Sequence, residues 1–212
     1  MLKEKTIVLY GSRDALCSEL TDRLTANGAR IFCLDPTTDP DPGDLLAGIG
    51  EPVDGLIFLP VSSPDHPVSE LDSATITTAT ALGVTTPLLI VREAVNRLFR
   101  PESPASIIFT VDPAALDAAD GFMLKSITGG ALIGAARSLA LELGARGIRV
   151  NCVCPGQVRD QISAEEASYV ALIADIPRPA EPGEIAGPYL YLMSDYSTHV
   201  SGQVIRVDGG IR

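Results

Sequence analysis

Arg137-Ser138-Leu139-Ala140-Leu141-Glu142-Leu143 is followed by Gly147-Ile148-Arg149-Val150-Asn151 and then by Pro155-Gly156. The first segment ends a helix that the spacing places over 122–144. The second is a strand over 148–153, and the Pro-Gly pair closes it. Working outward, strand-like and helix-like segments alternate along the chain. Thr6-Ile7-Val8-Leu9 is a strand ending near Gly11. Leu16, Leu20 and Leu24 share one helical face over 14–27, closed by Asn27-Gly28. Strands are also predicted at Arg30 to Leu34, Gly55 to Leu59, Ile107 to Thr110 and Val204 to Val207. Residues 70–99 are predicted as a long helical region broken near Gly83 to Pro87, because an interior proline removes a backbone donor. Such alternation implies an α/β domain with a parallel sheet covered by helices on both faces.

The chain has 212 residues, 46% hydrophobic and 20% charged, a globular composition suited to one domain spanning 1–212. A chain of this size buries roughly 70% of its unfolded surface, enough for a proper core. The formal net charge of −11 disfavours nucleic acid and anionic membrane surfaces as partners. No secretion signal is recognised at the start, and no uninterrupted run of about 18 apolar residues suggests a membrane span. The four cysteines, Cys17, Cys33, Cys152 and Cys154, are then expected as reduced thiols in a cytoplasmic protein. Cys152 and Cys154 alternate to one face of a strand, which points to core packing. His66 and His199 have no carboxylate or cysteine at ligand spacing, so surface placement is expected, and no Cys-x-x-Cys pair supports a zinc site. Glu165 and Glu166 belong to a solvated helical face.

The stretch quoted at the outset, with the tail Ser201-Gly202-Gln203-Val204 and Val207-Asp208-Gly209-Gly210, resembles the short-chain dehydrogenase/reductase (SDR) family. The resemblance covers about residues 3–35 and 53–212. It implies a Rossmann-like, doubly wound parallel sheet in three layers. Only 21 residues separate Asp35 from Leu56, and Pro36, Pro40 and Pro42 interrupt them. A turn of helix around Leu45 to Ile49 fits there; a βαβ unit, whose crossover needs about 10–12 residues, does not. One edge-strand unit of the family is therefore expected to be deleted.

The resemblance also locates the positions where the family carries its chemistry. Its Gly-x-x-x-Gly-x-Gly turn lets the backbone approach a diphosphate at a helix N-terminus. Here the glycine positions hold Gly11, Ala15 and Cys17, so Gly11 and Ser12 are vestiges of that turn. Asp35, 24 residues after Gly11, stands where a carboxylate holds the ribose of NAD, although an Asp before Pro is also ordinary turn chemistry. The Asn-Asn-Ala-Gly segment corresponds to Phe58-Leu59-Pro60-Val61, and Asp160 stands in place of the threonine after Pro155-Gly156. The family's catalytic Tyr and Lys positions hold Lys125 and Gly129; its Ser and Asn positions hold Asp112 and, approximately, Val84. A tuned proton donor within hydrogen-bond reach is what that chemistry requires. Asp112 and Lys125 either pair across the cleft or are solvated. Phe58, Phe122 and Met123 are large enough to plug it.

From these replacements the sequence suggests a degenerate family member, a pseudoenzyme of the oxidoreductase type with no intact catalytic set. It would act as a non-catalytic subunit of a hetero-oligomeric oxidoreductase, with NAD(P) bound by an intact SDR partner and none by this chain. A repurposed cofactor-independent cyclase, isomerase or dehydratase using Lys125, Asp112 and Asp160, or a small-molecule binding protein, are the alternatives. The small-residue helix Gly129-Gly130-Ala131-Leu132-Ile133-Gly134-Ala135-Ala136 and the Asp208-Gly209-Gly210 turn match the family's subunit contacts. The resemblance thus implies association with an SDR partner or with a second copy.

Overall fold

Strands β1 (Thr6–Tyr10), β3 (Gly55–Phe58) and β4 (Ala105–Thr110) are buried along their whole length, as a parallel sheet covered on both faces demands. The computed structural model describes residues 1–11, 13–36, 46–61, 66–101 and 103–211. With β2 (Arg30–Leu34), β5 (Ile148–Pro155) and β6 (Val204–Val207) they form one sheet in the order β2-β1-β3-β4-β5-β6. Every pairing is parallel; Leu9 of β1 lies between Cys33 and Ile57. The doubly wound three-layer architecture is therefore present. Among the described residues the sheet ends at β2, without a further edge strand. The predicted turn near Leu45 is seen at Leu46 and Ala47 only, and Leu45 lies outside the described residues.

Period-two alternation assigns the strand side chains to two cores. Val8, Leu56, Phe58, Ile107 and Phe109 face one side. They pack against Ile90 and Val91 of α3 (Thr86–Glu93) and against Leu132, Ile133 and Ala136 of α5 (Met123–Leu143). Ile7, Leu9, Ile57 and Ile108 face the other side. They meet Leu16, Leu20 and Leu24 of α1 (Ala15–Ala26), with Ile185, Tyr189 and Leu192 of α7 (Pro182–Met193). Each of these leucines contributes about 2 kcal/mol by burial, so the i, i+4 spacing is what fastens α1 to the sheet.

The helical region 70–99 differs from expectation. It is not broken: α2 (Ser73–Thr80) runs into a wide π turn at Ala81–Thr85, then α3, then a second wide turn at Ala94–Leu98. Pro87 lies in the first turn of α3, where a missing N–H costs least. The continuous run Ser73–Leu98 is long and apolar enough, by length and composition, to cross a membrane. A search for uninterrupted apolar residues passes over it because threonines punctuate it. Its α3 portion and the turn Ala94–Leu98 pack on the sheet.

Two helices escape the periodicity. The four-residue α4 (Ala114–Asp117) is too short for a pattern, and α7 is disguised by Pro182 and Pro188. Pro182 occupies the first turn, and Glu181 with Glu184 forms a reciprocal cap there. Glu165 and Glu166 lie, as the sequence suggests, in the exposed first turn of α6 (Ala164–Ile173).

Candidate functional site

The chain leaves β1 toward β2 on one side and reaches β3 on the other. That reversal opens a crevice at the carboxyl ends of the strands, the place where open α/β sheets bind ligands. Gly11 makes the crossing possible. Its φ is +141°, and a Cβ there would stand 2.7 Å from Leu59 Cβ and 2.8 Å from the Leu59 carbonyl oxygen. The crevice is a cavity of about 680 Å³, within the span of roughly 300–1,000 Å³ usual for small-molecule sites.

Its walls come from six segments: the start of α1, the chain after β3, the α2–α3 helix around Leu82 and Gly83, the chain after β4, the face of α5, and the Pro155-Gly156 turn. Among the described residues three ionisable side chains line it: Asp14, Asp112 and Lys125. Asp14 caps α1, its carboxylate accepting from the Cys17 N–H at 2.9 Å. Asp112 turns the chain after β4, accepting from the Ala114 N–H at 2.9 Å. Lys125 projects from the first turns of α5 with its Nζ 4.5 Å from the centre of the Phe122 ring, a cation–π distance.

The structure thus brings Asp112, Lys125 and Gly129 to one cavity. Gly129 faces α4: a Cβ on it would stand 2.5 Å from Ala115 Cβ. The other positions diverge. Val84 falls in the wide turn Ala81–Thr85, where Leu82 and Gly83 are the lining residues. Asp160 sits in the 3-10 turn Arg159–Gln161, and its neighbour Gln161 takes the place at the wall. Asp35 follows β2 and pairs with Arg13 at 3.6 Å. Ser12 lies outside the described residues. Phe58 and Phe122 both contribute to the wall without closing it, and Met123 is not a lining residue. Phe58 is held back by stacking on Phe109, ring centres 5.1 Å apart.

Asp14 is the residue that the sequence comparison overlooks. Its signal is legible: an Asp immediately before a run with helical periodicity is an N-cap. No tyrosine lines the cavity among the described residues. Tyr10 and Tyr189 are buried beneath it; the Tyr10 hydroxyl reaches the Leu82 carbonyl at 3.5 Å and burial pushes it up to about 12. Tyr189 shares a 2.7 Å hydrogen bond with Thr110, and burial raises it further. Cys152 and Cys154 are fully buried in β5, as their alternation predicts, and both thiols are pushed up to about 12 by desolvation. His66 lies on the surface, as expected, but a carboxylate does stand at helical spacing from it: Glu70 faces it at 3.5 Å. Among the described residues no group of three His, Cys, Asp or Glu gathers as a metal site.

The comparisons with known proteins agree with this geometry. The family model described as enoyl-(acyl carrier protein) reductase matches residues 6–212, and the chain belongs to this short-chain dehydrogenase/reductase family. An uncharacterized oxidoreductase of Bacillus subtilis (strain 168), YmfI, is 28% identical over 208 residues, covering 95% of this chain and 86% of the relative. Further curated relatives align over about half of their own length or less. The crystal structure of a putative betaketoacyl-ACP reductase superposes with a TM-score of 0.85 at 26% identity, covering 99% of this chain and 98% of the other. A small-chain dehydrogenase in complex with NADPH superposes with a TM-score of 0.83 at 20% identity, covering 98% of both chains, which shows the common fold.

Two expectations are overturned by these matches. A non-catalytic subunit beside an intact partner, a cofactor-independent enzyme and a simple binding protein all give way: the relatives are oxidoreductases, and the reductase family pattern runs through this chain itself. Assigning the nucleotide to a partner, with none for this chain, falls with them, because this chain itself belongs to the reductase family and has a cavity at its own β1–β3 reversal. The crevice is made by the backbone reversal between β1 and β3, which single-residue replacements along its wall do not remove.

Proposed function

We propose that this chain is an oxidoreductase of the short-chain dehydrogenase/reductase family that takes a nicotinamide dinucleotide in its own crevice and acts on a carbonyl or hydroxyl compound. Lys125 is the proton-bearing group of that site, standing in the tyrosine position of the family pattern; Gly129 stands in the lysine position, so the usual pair is replaced. The observation that carries the reading is the open cavity at the β1–β3 reversal with Lys125 on its wall. The NADPH complex among the fold neighbours supports the class of cofactor.

The residues fit that cofactor in part. The crevice has the position and volume for one end of a dinucleotide, and Asp35 stands at the end of β2. The start of α1 does not fit a diphosphate in the family manner. The Asp14 carboxylate already takes the Cys17 N–H, and the Cys17 side chain packs into the core. Like charge disfavours an anion beside Asp14. No step is therefore derived through the nucleotide; the chain's own contribution is the Lys125 ammonium held by Phe122.

The domain is one unit over 1–212, and it works in the cytoplasm as a self-associated oligomer. The four free thiols support a reducing compartment. Leu141 on α5, 86% exposed, supports contact with a second copy.

The test is titration of the purified chain with NADH and with NADPH, followed by nicotinamide fluorescence, then turnover on a panel of ketones and alcohols. Binding by this chain alone is expected. Lys125→Ala is expected to keep nucleotide binding and lose turnover by about 10²-fold or more. Absence of binding by either nucleotide at millimolar concentration overturns the reading.

A further inference from the structure

Alternation along β2 turns Ile31 and Cys33 toward the face covered by α1, and Cys17 looks down from the first turn of that helix. The two thiols share that packed layer, Cys33 lying against the cluster that buries Cys17, close enough to perturb one another electrostatically. The Thr21 hydroxyl, one turn along α1, lies 2.8 Å from the Cys17 carbonyl oxygen and 3.7 Å from Cys33 Sγ. Cys17 is buried and Cys33 is half-buried at the edge strand, so one sulfur has a route to solvent and the other does not. We propose that Cys17 and Cys33 are a redox-sensitive thiol pair, closed to a disulfide by peroxide, that ties the β1–α1 corner of the crevice to the edge strand.

The roles of the two sulfurs differ. The neighbouring Cys17 thiol, with the Arg13 charge nearby, lowers the Cys33 thiol to about 6, whereas Cys17 is raised. Cys33 is then the thiolate at neutral pH and the nucleophile; Cys17 is the resolving thiol. The Cys33 thiolate attacks one oxygen of hydrogen peroxide, the O–O bond breaks, and hydroxide leaves, giving a sulfenic acid. The Cys17 sulfur then attacks the Cys33 sulfur. The S–S bond forms, the S–O bond breaks, and the Cys17 proton leaves with the departing hydroxyl as water. Two electrons pass from the pair to peroxide. Cys152 and Cys154, fully buried in β5, give no such path.

The bridge would fix the first turn of α1 to β2, two residues from Asp35 and three from Asp14. Coupling to nucleotide binding follows, and this consequence alone rests on the oxidoreductase reading. The experiment treats the reduced full-length chain with one equivalent of hydrogen peroxide and reads intact mass and disulfide-linked peptides. Loss of two hydrogen atoms and a Cys17–Cys33 linked peptide are expected. Cys17→Ser is expected to stop at a sulfenic acid captured by dimedone, and Cys33→Ser to leave the mass unchanged. A wild-type chain that gains oxygen without a bridge, or a bridge that persists in Cys33→Ser, overturns the inference. NADPH titration of both forms separates the two claims. Nucleotide binding without any bridge sinks the switch and leaves the oxidoreductase reading intact. A bridge without nucleotide binding in either form does the reverse.

Discussion

Two corners flank the same cavity, and different physics holds each of them. At the β1–α1 corner the helix start is satisfied by the chain's own carboxylate: Asp14 accepts from the Cys17 N–H where a ligand anion would otherwise sit. At the α5 wall the change is one of volume. Gly129 stands against Ala115, so α4 occupies the space that a longer side chain would need. A hydrogen-bonded cap can be exchanged for another acceptor at little cost. A packed contact cannot be exchanged without moving a helix. The comparison teaches that the β1–α1 corner remains adjustable while the α5 wall is fixed.

The largest effect should come from Gly11→Ala. The positive φ and the overlap with the Leu59 backbone together cost about 4 kcal/mol, read as a shift of the urea midpoint. A midpoint shift no larger than for an exposed substitution would mean that the β1–α1 crossing gives way more easily than its geometry implies.

At the opposite wall, Gly129→Lys places a long side chain against α4. A loss of about 2 kcal/mol is expected from overpacking against Ala115, with no gain of turnover. Gain of activity without loss of stability would show that the α5 wall is the adjustable one, and would invert the comparison.

Asp14→Ala should cost about 1 kcal/mol by loss of the cap. It should also tighten nucleotide binding, because the competing carboxylate is gone. Weaker binding in the same fluorescence titration would mean that Asp14 assists the ligand rather than standing in its place.

The smallest effect is a control away from both corners. Glu184 is held down to about 2 by its hydrogen bonds with Arg178. Its folded pKa is depressed, so whatever stability it adds is present above its ordinary value and is lost as pH falls toward 2. The group is fully exposed, so Glu184→Gln should leave the thermal midpoint at pH 7 indistinguishable from wild type.

Particular residues show what was legible. β2 and β6 carry the bounds that the apolar runs predict, and α5 begins and ends within a residue of its predicted span. These elements depend on local pattern: an apolar run, a helical period, a glycine at the end. α7 was not legible, because Pro182 and Pro188 disguise a helix that Ile185, Tyr189 and Leu192 hold to the sheet. The long 73–98 helix was legible as helix, but not its continuity. A wide turn, rather than a break, absorbs the irregularity ahead of Pro87.

The sequence by itself determined the alternation of strands and helices, hence the sheet and the crevice at its carboxyl edge. It also determined which residue types stand at the family's chemical positions, because register along a gapless helix fixes residue number. Only the tertiary structure decided how those positions are used. Lys125 faces an open cavity, Gly129 is closed off by α4, Val84 and Asp160 yield the wall to their neighbours, and Cys17 shares a packed layer with Cys33. The physical reason is that local pattern sets the conformation of a segment, whereas exposure, charge neighbours and free volume are set by segments distant in sequence that fold against it.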